Sequence, residues 1–241
     1  MEVGNATPTF SGNTASGNGY NGIIIGNNIA QDYTFTANLP YVIGGAYTVR
    51  AGTTLTLMPG TVVKFSDYYT SSLSVAGALI AKGTDANNVA FTSLKDDTFG
   101  GDTNNDGSAS APAPGDWTNI AFTQSTATST LTYTRVRFGS PRSSFNPDKG
   151  ALRLKNAALE IHNSIIELNY AIGIWMQSST STLIADSIIR EHRDTTTETF
   201  GLFLTASSTP TISGTTFKLN GTHIFTDKTS TTTDAGGNTF E

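Results

Sequence analysis

The chain has 241 residues, of which 14% are charged, and its formal net charge of -5 argues against the basic surface that binds nucleic acid. Cysteine is absent, so disulfides, thiolate metal ligands and a cysteine nucleophile are excluded. The sequence has no apolar run of the about 20 residues that a membrane-spanning helix needs. We therefore expect no nucleic-acid partner and no membrane span in this chain.

Short pairs of alternating apolar residues, separated by Gly, Pro, Asn and Asp, fill the first half of the chain. They predict short strands and tight turns rather than helices. Two such pairs recur 26 residues further on: Tyr47, Val49, Val63 and Phe65 return as Leu73, Val75, Val89 and Phe91. After a longer interruption, we align Val89 and Phe91 with Ile120 and Phe122.

The second half of the chain contains one unit four times. The copies start at Leu131, Ile161, Ile184 and Ile212, so the offsets are 30, 23 and 28 residues. Apolar residues hold the first and sixth places of each copy, and Ser or Thr holds the fourth. A period of this length is the signature of a solenoid.

The fold predicted from these patterns is all-β. Three strands and three turns per repeat fit one rung of a single right-handed parallel β-helix of about nine rungs with little or no helix. Two inward stacks are expected, and they consist of Leu131, Ile161, Ile184 and Ile212, and of Val136, Ile166, Ile189 and Phe217. We expect one domain over residues 1–241, cut from a longer array, with exposed ends that favour end-to-end self-association.

A polar insertion near residues 94–116 interrupts the repeat. Asp102, Asn104 and Asp106, followed by Gly107, match the opening of a calcium loop, D-x-[DN]-x-[DN]-G. Ala113 stands where that loop carries its distal Glu, so other oxygen donors would have to complete the shell. We predict a Ca2+ site with the donors Asp96, Asp97, Asp102, Asn104, Asp106 and Asp116. The alternative is a solvated loop with Asx turns.

Charged residues at equivalent outward positions of the repeat form a second candidate site. Arg137, Glu167, Arg190 and Lys218 are expected on successive rungs, where they form an ion-pair ladder. The alternative is a catalytic face that uses a base beside a carboxylate. An enzyme of this kind would use Glu167, Arg190, His162 and His192, although no serine-hydrolase, zinc or nucleotide motif occurs.

Aromatic residues supply a third candidate site. Tyr68 and Tyr69 fall in a turn, and Trp175 lies in Gly173-Ile-Trp-Met176, which aligns with Gly201-Leu-Phe-Leu204. Exposed aromatic rings can contact sugars, so these three residues are candidate glycan ligands. The alternative is ordinary surface packing.

The stretch from Gly52 to Phe65, the stretch from Gly77 to Thr84 and the insertion that ends at Gly115-Asp-Trp117 resemble secreted or surface-exposed bacterial right-handed parallel β-helix proteins of the pectate-lyase-like superfold. The resemblance implies an extracellular or cell-surface location and neighbouring domains in the same polypeptide. The candidate aromatic residues add a polysaccharide or cell-surface glycan as an expected partner. Because this fold carries many functions, two hypotheses remain open. One is a non-catalytic stalk or adhesion module, and the other is a polysaccharide lyase or glycoside hydrolase that acts along the groove.

Overall fold

The computed structural model describes residues 8–26, 28–66, 70–125, 127–142, 149–193 and 198–241. These ranges contain 24 β-strands and no α-helix. The first eight strands are β1 (Ile23–Ile25), β2 (Tyr33–Phe35), β3 (Tyr41–Ile43), β4 (Ala46–Val49), β5 (Thr54–Leu57), β6 (Val62–Phe65), β7 (Ser72–Val75) and β8 (Ala78–Lys82). The next eight are β9 (Val89–Ser93), β10 (Ile120–Thr123), β11 (Ser129–Thr132), β12 (Thr134–Arg137), β13 (Leu152–Lys155), β14 (Leu159–His162), β15 (Ile165–Glu167) and β16 (Ile172–Gln177). The last eight are β17 (Thr182–Ala185), β18 (Ile188–Arg190), β19 (Phe200–Thr205), β20 (Thr211–Ser213), β21 (Thr216–Lys218), β22 (Thr222–Thr226), β23 (Thr233–Asp234) and β24 (Thr239–Phe240). No helix in the described ranges is long and apolar enough to cross a membrane.

The strands form three parallel sheets that wind into a right-handed β-solenoid, as predicted. Sheet A has nine strands (β1, β3, β6, β9, β12, β15, β18, β21, β24), sheet B has seven (β4, β7, β10, β13, β16, β19, β22) and sheet C has eight (β2, β5, β8, β11, β14, β17, β20, β23). A complete turn needs one strand from each sheet, so sheet B limits the solenoid to about seven turns. The expected nine rungs correspond to the strands of sheet A alone.

The inward stacks of the repeat are confirmed. Leu131, Ile161 and Ile184 lie on neighbouring strands of sheet C and are 0% exposed, and Ile212 follows them at 3%. Val136, Ile166, Ile189 and Phe217 form the matching column of sheet A, and all four are 0% exposed. Burial of each such side chain contributes roughly 1.5 to 3 kcal/mol before chain entropy is subtracted.

Two register predictions for the first half were wrong. Val63 lies opposite Phe91 rather than Val89 in sheet A. Ile120 and Phe122 continue the column of Leu73 and Val75 in sheet B, and not that of Val89 and Phe91. All three sheets use the same apolar–x–apolar pattern, so the pattern alone does not assign a strand to its sheet. The turn lengths set the register, and a shift of two residues keeps every side chain on its face.

The Ser or Thr at the fourth place of each repeat has a structural role at the corner between sheets C and A. The backbone N–H of Thr134 donates to Ser164 Oγ (2.9 Å), and the N–H of Ser164 donates to Ser187 Oγ (3.1 Å). Ser164 and Ser187 are 1% and 2% exposed, so each hydroxyl satisfies a buried amide of the preceding rung.

The two ends of the solenoid differ. At the N-terminal end, Tyr33 Oη donates to the carbonyl of Pro8 (2.8 Å), and the Phe10 ring packs edge-on against Tyr41. At the C-terminal end, Phe240 stacks on Phe217 and remains 55% exposed. Asp234 pairs with Ile212, so a carboxylate continues an apolar column at this last rung. End-to-end association stays a prediction, and this carboxylate would oppose it because burial of a charge is costly.

Candidate functional site

The insertion between β9 and β10 lies on the outer face of sheet A near the N-terminal end. The backbone N–H of Asn21 donates to the carbonyl of Thr103 (2.7 Å), and Lys64 Nζ donates to the carbonyl of Gly101 (2.7 Å). Outward-facing Val42 and Lys64 are both 0% exposed as a result. The insertion therefore covers the outer face of sheet A on rungs that precede the charged residues Arg137, Glu167, Arg190 and Lys218.

Lys64 is an ammonium group held under the insertion. Burial lowers the pKa of Lys64 to about 8, and the carboxylates of Asp96, Asp97 and Asp102 oppose that shift. Its described hydrogen bond is to a neutral carbonyl, so the desolvation of the charged form is only partly compensated.

Three of the six predicted calcium donors line one cavity, and the other three are not among its lining residues. Asp102 Oδ1 and Oδ2 accept from the backbone amides of Asp106 (3.1 Å) and Gly107 (2.9 Å), so the loop folds back onto this carboxylate. Asn104 Nδ2 donates to Asp106 Oδ2 (2.7 Å). The Oδ1 atoms of Asn104 and Asp106 are buried and have no hydrogen-bond partner among the described residues. Both residues line a cavity of about 360 Å³ together with Asp116.

Asp96 and Asp116 are engaged by other partners. Asp96 accepts hydrogen bonds from Thr92 Oγ1 (2.5 Å) and from the amide of Thr98 (3.2 Å). Asp116 Oδ2 accepts from Ser93 Oγ (2.8 Å), and its Oδ1 lies 3.3 Å from Lys95 Nζ. In the described ranges, the structure assembles no group of three or more His, Cys, Asp or Glu side chains that could hold a metal ion.

Asp97 lies on the exposed side of the insertion. Partial desolvation raises the pKa of Asp97, and repulsion from Asp102, Asp106 and Asp96 adds to the shift, whereas Lys64 opposes it. The carboxylates of the insertion thus repel one another, and a bound cation would relieve that repulsion.

The predicted charged row exists on the outer face of sheet A. Arg137 lies opposite Glu167, Glu167 opposite Arg190, and Arg190 opposite Lys218. Glu167 is 2% exposed, and it binds Arg190 Nη2 at 2.6 Å and Arg135 Nη1 at 3.1 Å. Lys218 pairs with Glu241 on the next rung (2.7 Å) rather than with its basic neighbour Arg190.

The two candidate histidines lie away from Glu167. His162 is on the outer face of sheet C, where its Nε2 lies 3.5 Å from Glu160 Oε2. His192 is 2% exposed at the corner between sheets A and B, where its Nδ1 accepts from the amide of Asn169 (3.4 Å). The backbone N–H of Gly139 donates to Asn169 Oδ1 (2.8 Å), and the backbone N–H of His192 donates to Asn220 Oδ1 (3.5 Å), so His192 takes the place of an asparagine in this ladder. Burial lowers the pKa of His192 to about 3.

Trp175 is half-buried on the outer face of sheet B, where it belongs to an aromatic row that the sequence analysis did not predict. Arg153, Trp175, Phe203 and Phe225 lie opposite one another on β13, β16, β19 and β22. We call these four residues the aromatic stripe. The alignment of Trp175 with Phe203 in the sequence was the available signal for this row. The third aromatic residue, Phe225, is identified only by the strand register of β22. Tyr68 and Tyr69 lie outside the described residues.

The rings of the aromatic stripe pack on one another. Phe203 and Phe225 are stacked at 4.5 Å with an interplanar angle of 9°, and Trp175 meets Phe203 edge-on at 6.1 Å. The guanidinium carbon of Arg153 lies 5.4 Å from the Trp175 ring centre. The facing ring surfaces of Phe203 and Phe225 are thus occupied, and Phe225 remains 37% exposed.

Sequence comparison agrees with the three-sheet solenoid. A family described as "right handed beta helix region" matches residues 119–241, which is slightly more than half of the chain. The chain belongs to this right-handed β-helix family. Searches of curated proteins and of solved structures gave no match.

Proposed function

We propose that this β-helix is a non-catalytic stalk or adhesion module of a secreted or cell-surface bacterial protein. Parallel strands stacked in three sheets give a rod whose rungs contact only their neighbours, an architecture suited to holding other domains at a distance. The partners in this proposal are neighbouring domains of the same polypeptide and a glycan.

The observation that carries the proposal is where the candidate acid–base groups lie and what they contact. Glu167 is buried, and both of its carboxylate oxygens are held by structural ion pairs, Oε1 with Arg135 and Oε2 with Arg190. His162 lies on another sheet, and His192 is enclosed in a corner between sheets. General acid–base catalysis needs such groups to converge on one substrate bond, and these groups are dispersed.

A panel of polysaccharides tests this proposal, with both binding and product release as readouts. Binding without cleavage is the result expected of an adhesion module, and neither binding nor cleavage is expected of a stalk. Release of reducing or unsaturated ends by the purified protein would overturn the non-catalytic assignment. For a bound glycan, Trp175→Ala is the informative variant because Trp175 is the described candidate with an accessible ring.

The second candidate function is a polysaccharide lyase or glycoside hydrolase that acts along sheet A. The observation that favours it is the position of Glu167 beside Arg137 and Arg190 on one outer face. If product release is detected, Glu167→Gln should abolish it while the circular dichroism spectrum remains that of a β-protein. A variant that cleaves at the wild-type rate would remove Glu167 from the reaction.

We also propose that the insertion binds Ca2+. The oxygens that support this are Asn104 Oδ1 and Asp106 Oδ1, which lack hydrogen-bond partners among the described residues. Asp102 supports the loop through the amides of Asp106 and Gly107, and Asp97 lies among the repelling carboxylates. Asp96 and Asp116 would have to exchange existing partners to join the shell. The role of the ion would be to hold the insertion on sheet A.

A further inference from the structure

The outer face of sheet B differs from the other outer faces because aromatic residues occupy it on three successive rungs. Trp175, Phe203 and Phe225 share one column, and Phe200 packs against both phenylalanine rings (4.9 and 5.6 Å). The solvent face of a strand ordinarily carries polar side chains, whereas a continuous apolar row on a surface marks an interaction site.

Charged residues lie at the two ends of this row and have opposite signs. Arg153 and Lys155 lie on β13 at the first rung. Lys155 begins a polar column beside the aromatic stripe, and Gln177 and Thr205 continue it. Asp227 directly follows Thr226, the partner of Leu204, and therefore reaches this column at the last rung. The amide of Ala206 donates to Asp227 (2.8 Å), and this hydrogen bond lowers the pKa of that carboxyl.

We propose that sheet B is the interface of a symmetric dimer in which a second copy of this chain lies antiparallel on the aromatic stripe. The two-fold axis of this dimer runs along the strand direction and lies between the rungs of Trp175 and Phe203. It places the aromatic stripe of the second copy on that of the first in reverse order. Lys155 then lies opposite Asp227 of the second copy, and Arg153 lies over Phe225 of the second copy. In a parallel arrangement Lys155 would stay at the rung of Lys155 of the second copy, and it would not meet Asp227. The charge order thus selects the antiparallel dimer.

The ring geometry favours a second copy over a glycan on this face. Sugar rings stack on open aromatic faces, but Phe203 and Phe225 stack on each other and direct their rims outward. Aromatic rims and side-chain methylenes can interdigitate with those of an opposing sheet about 10 Å away. The dimer is compatible with the stalk, whereas a glycan bound through Trp175 would compete with the second copy for this face.

Sedimentation equilibrium across a wide protein concentration range tests the dimer. The double variant Phe203→Thr/Phe225→Thr should raise the dissociation constant by about tenfold or more, because each dimer loses four buried rings. Lys155→Glu should also weaken association, since it places two carboxylates opposite each other. The matched controls are Leu183→Thr and Lys82→Glu on sheet C, and both should dimerise like the wild type.

Site-directed spin labels give a second readout in this cysteine-free chain. A label at Gln177→Cys should show a short distance to its copy in the dimer, whereas a label at Thr132→Cys on sheet C should not. A protein that is monomeric at every concentration overturns the proposal. So does a dimer that survives the double variant but is lost in Phe240→Ser, because that result assigns association to the C-terminal end. A glycan that binds the monomer through Trp175 without dimer formation overturns it too.

Discussion

Arg190 reaches across one rung to Glu167, with its Nη2 at 2.6 Å and its Nε at 3.0 Å from the same carboxylate oxygen, Oε2. The second oxygen of Glu167, Oε1, accepts from Arg135 on the other side (3.1 Å). One nearly buried carboxylate thus joins three successive strands of sheet A. Its loss would leave two arginines on one face without their shared acceptor.

We predict that Glu167→Gln destabilises the fold by about 1 to 3 kcal/mol, less than a fully buried pair because both arginines are about one-third exposed. The control is Glu160→Gln, whose side chain is 46% exposed and which should change stability by less than about 0.5 kcal/mol. Urea unfolding measures both. Equal midpoints for the two variants would mean that the Glu167 contacts contribute nothing measurable.

His192 should make the fold sensitive to acid. Its pKa is lowered to about 3 in the folded chain, so the folded state binds fewer protons than the unfolded state below the usual value of 6.5. The contribution of neutral His192 is therefore present above pH 6.5 and is lost as the pH falls towards 3. His192→Asn should keep the amide contacts of Asn169 and reduce this pH dependence. Thermal melts between pH 3 and 7 check it, with His162→Asn, at a half-buried position of sheet C, as the control.

Lys64 should make the stability of the fold depend on pH in the alkaline range. Its folded pKa of about 8 lies below the ordinary 10.5, so the unfolded chain binds more protons between these values. Stability should rise as the pH increases from 8 to 10.5. Lys64→Met should be at least as stable as the wild type at pH 7 and should lack this rise. Lys82→Met, at an exposed position of sheet C, should leave the rise intact.

Calcium should raise the melting temperature if the insertion binds it. Ligand at 100 times its dissociation constant adds about 2.7 kcal/mol of stability by mass action. Asp106→Asn should abolish most of the shift because Asp106 Oδ1 is one of the two unpartnered oxygens among the described residues of the insertion. Asp85→Asn, in the turn after β8, is the control and should respond like the wild type. A melting temperature that is indifferent to both Ca2+ and chelator would identify the insertion as a solvated loop.

The sequence by itself determined the solenoid and the second half of its core. Apolar residues at the first and sixth places of four copies recur because every rung buries the same two columns, so the period carries the fold. Ser164 and Ser187 at the fourth place recur for a related reason, since each accepts from a buried amide of the preceding rung.

Only the tertiary structure decided which strands share a sheet and which side chains meet. Val63 pairs with Phe91 because turn lengths set the register, and apolar–x–apolar pairs look alike in all three sheets. His192 was a candidate catalytic group in the sequence, but the backbone path turns it inward to an asparagine position. Trp175, Phe203 and Phe225 come from three different repeats of unequal length, and the stacking of the rungs is what places them in one row.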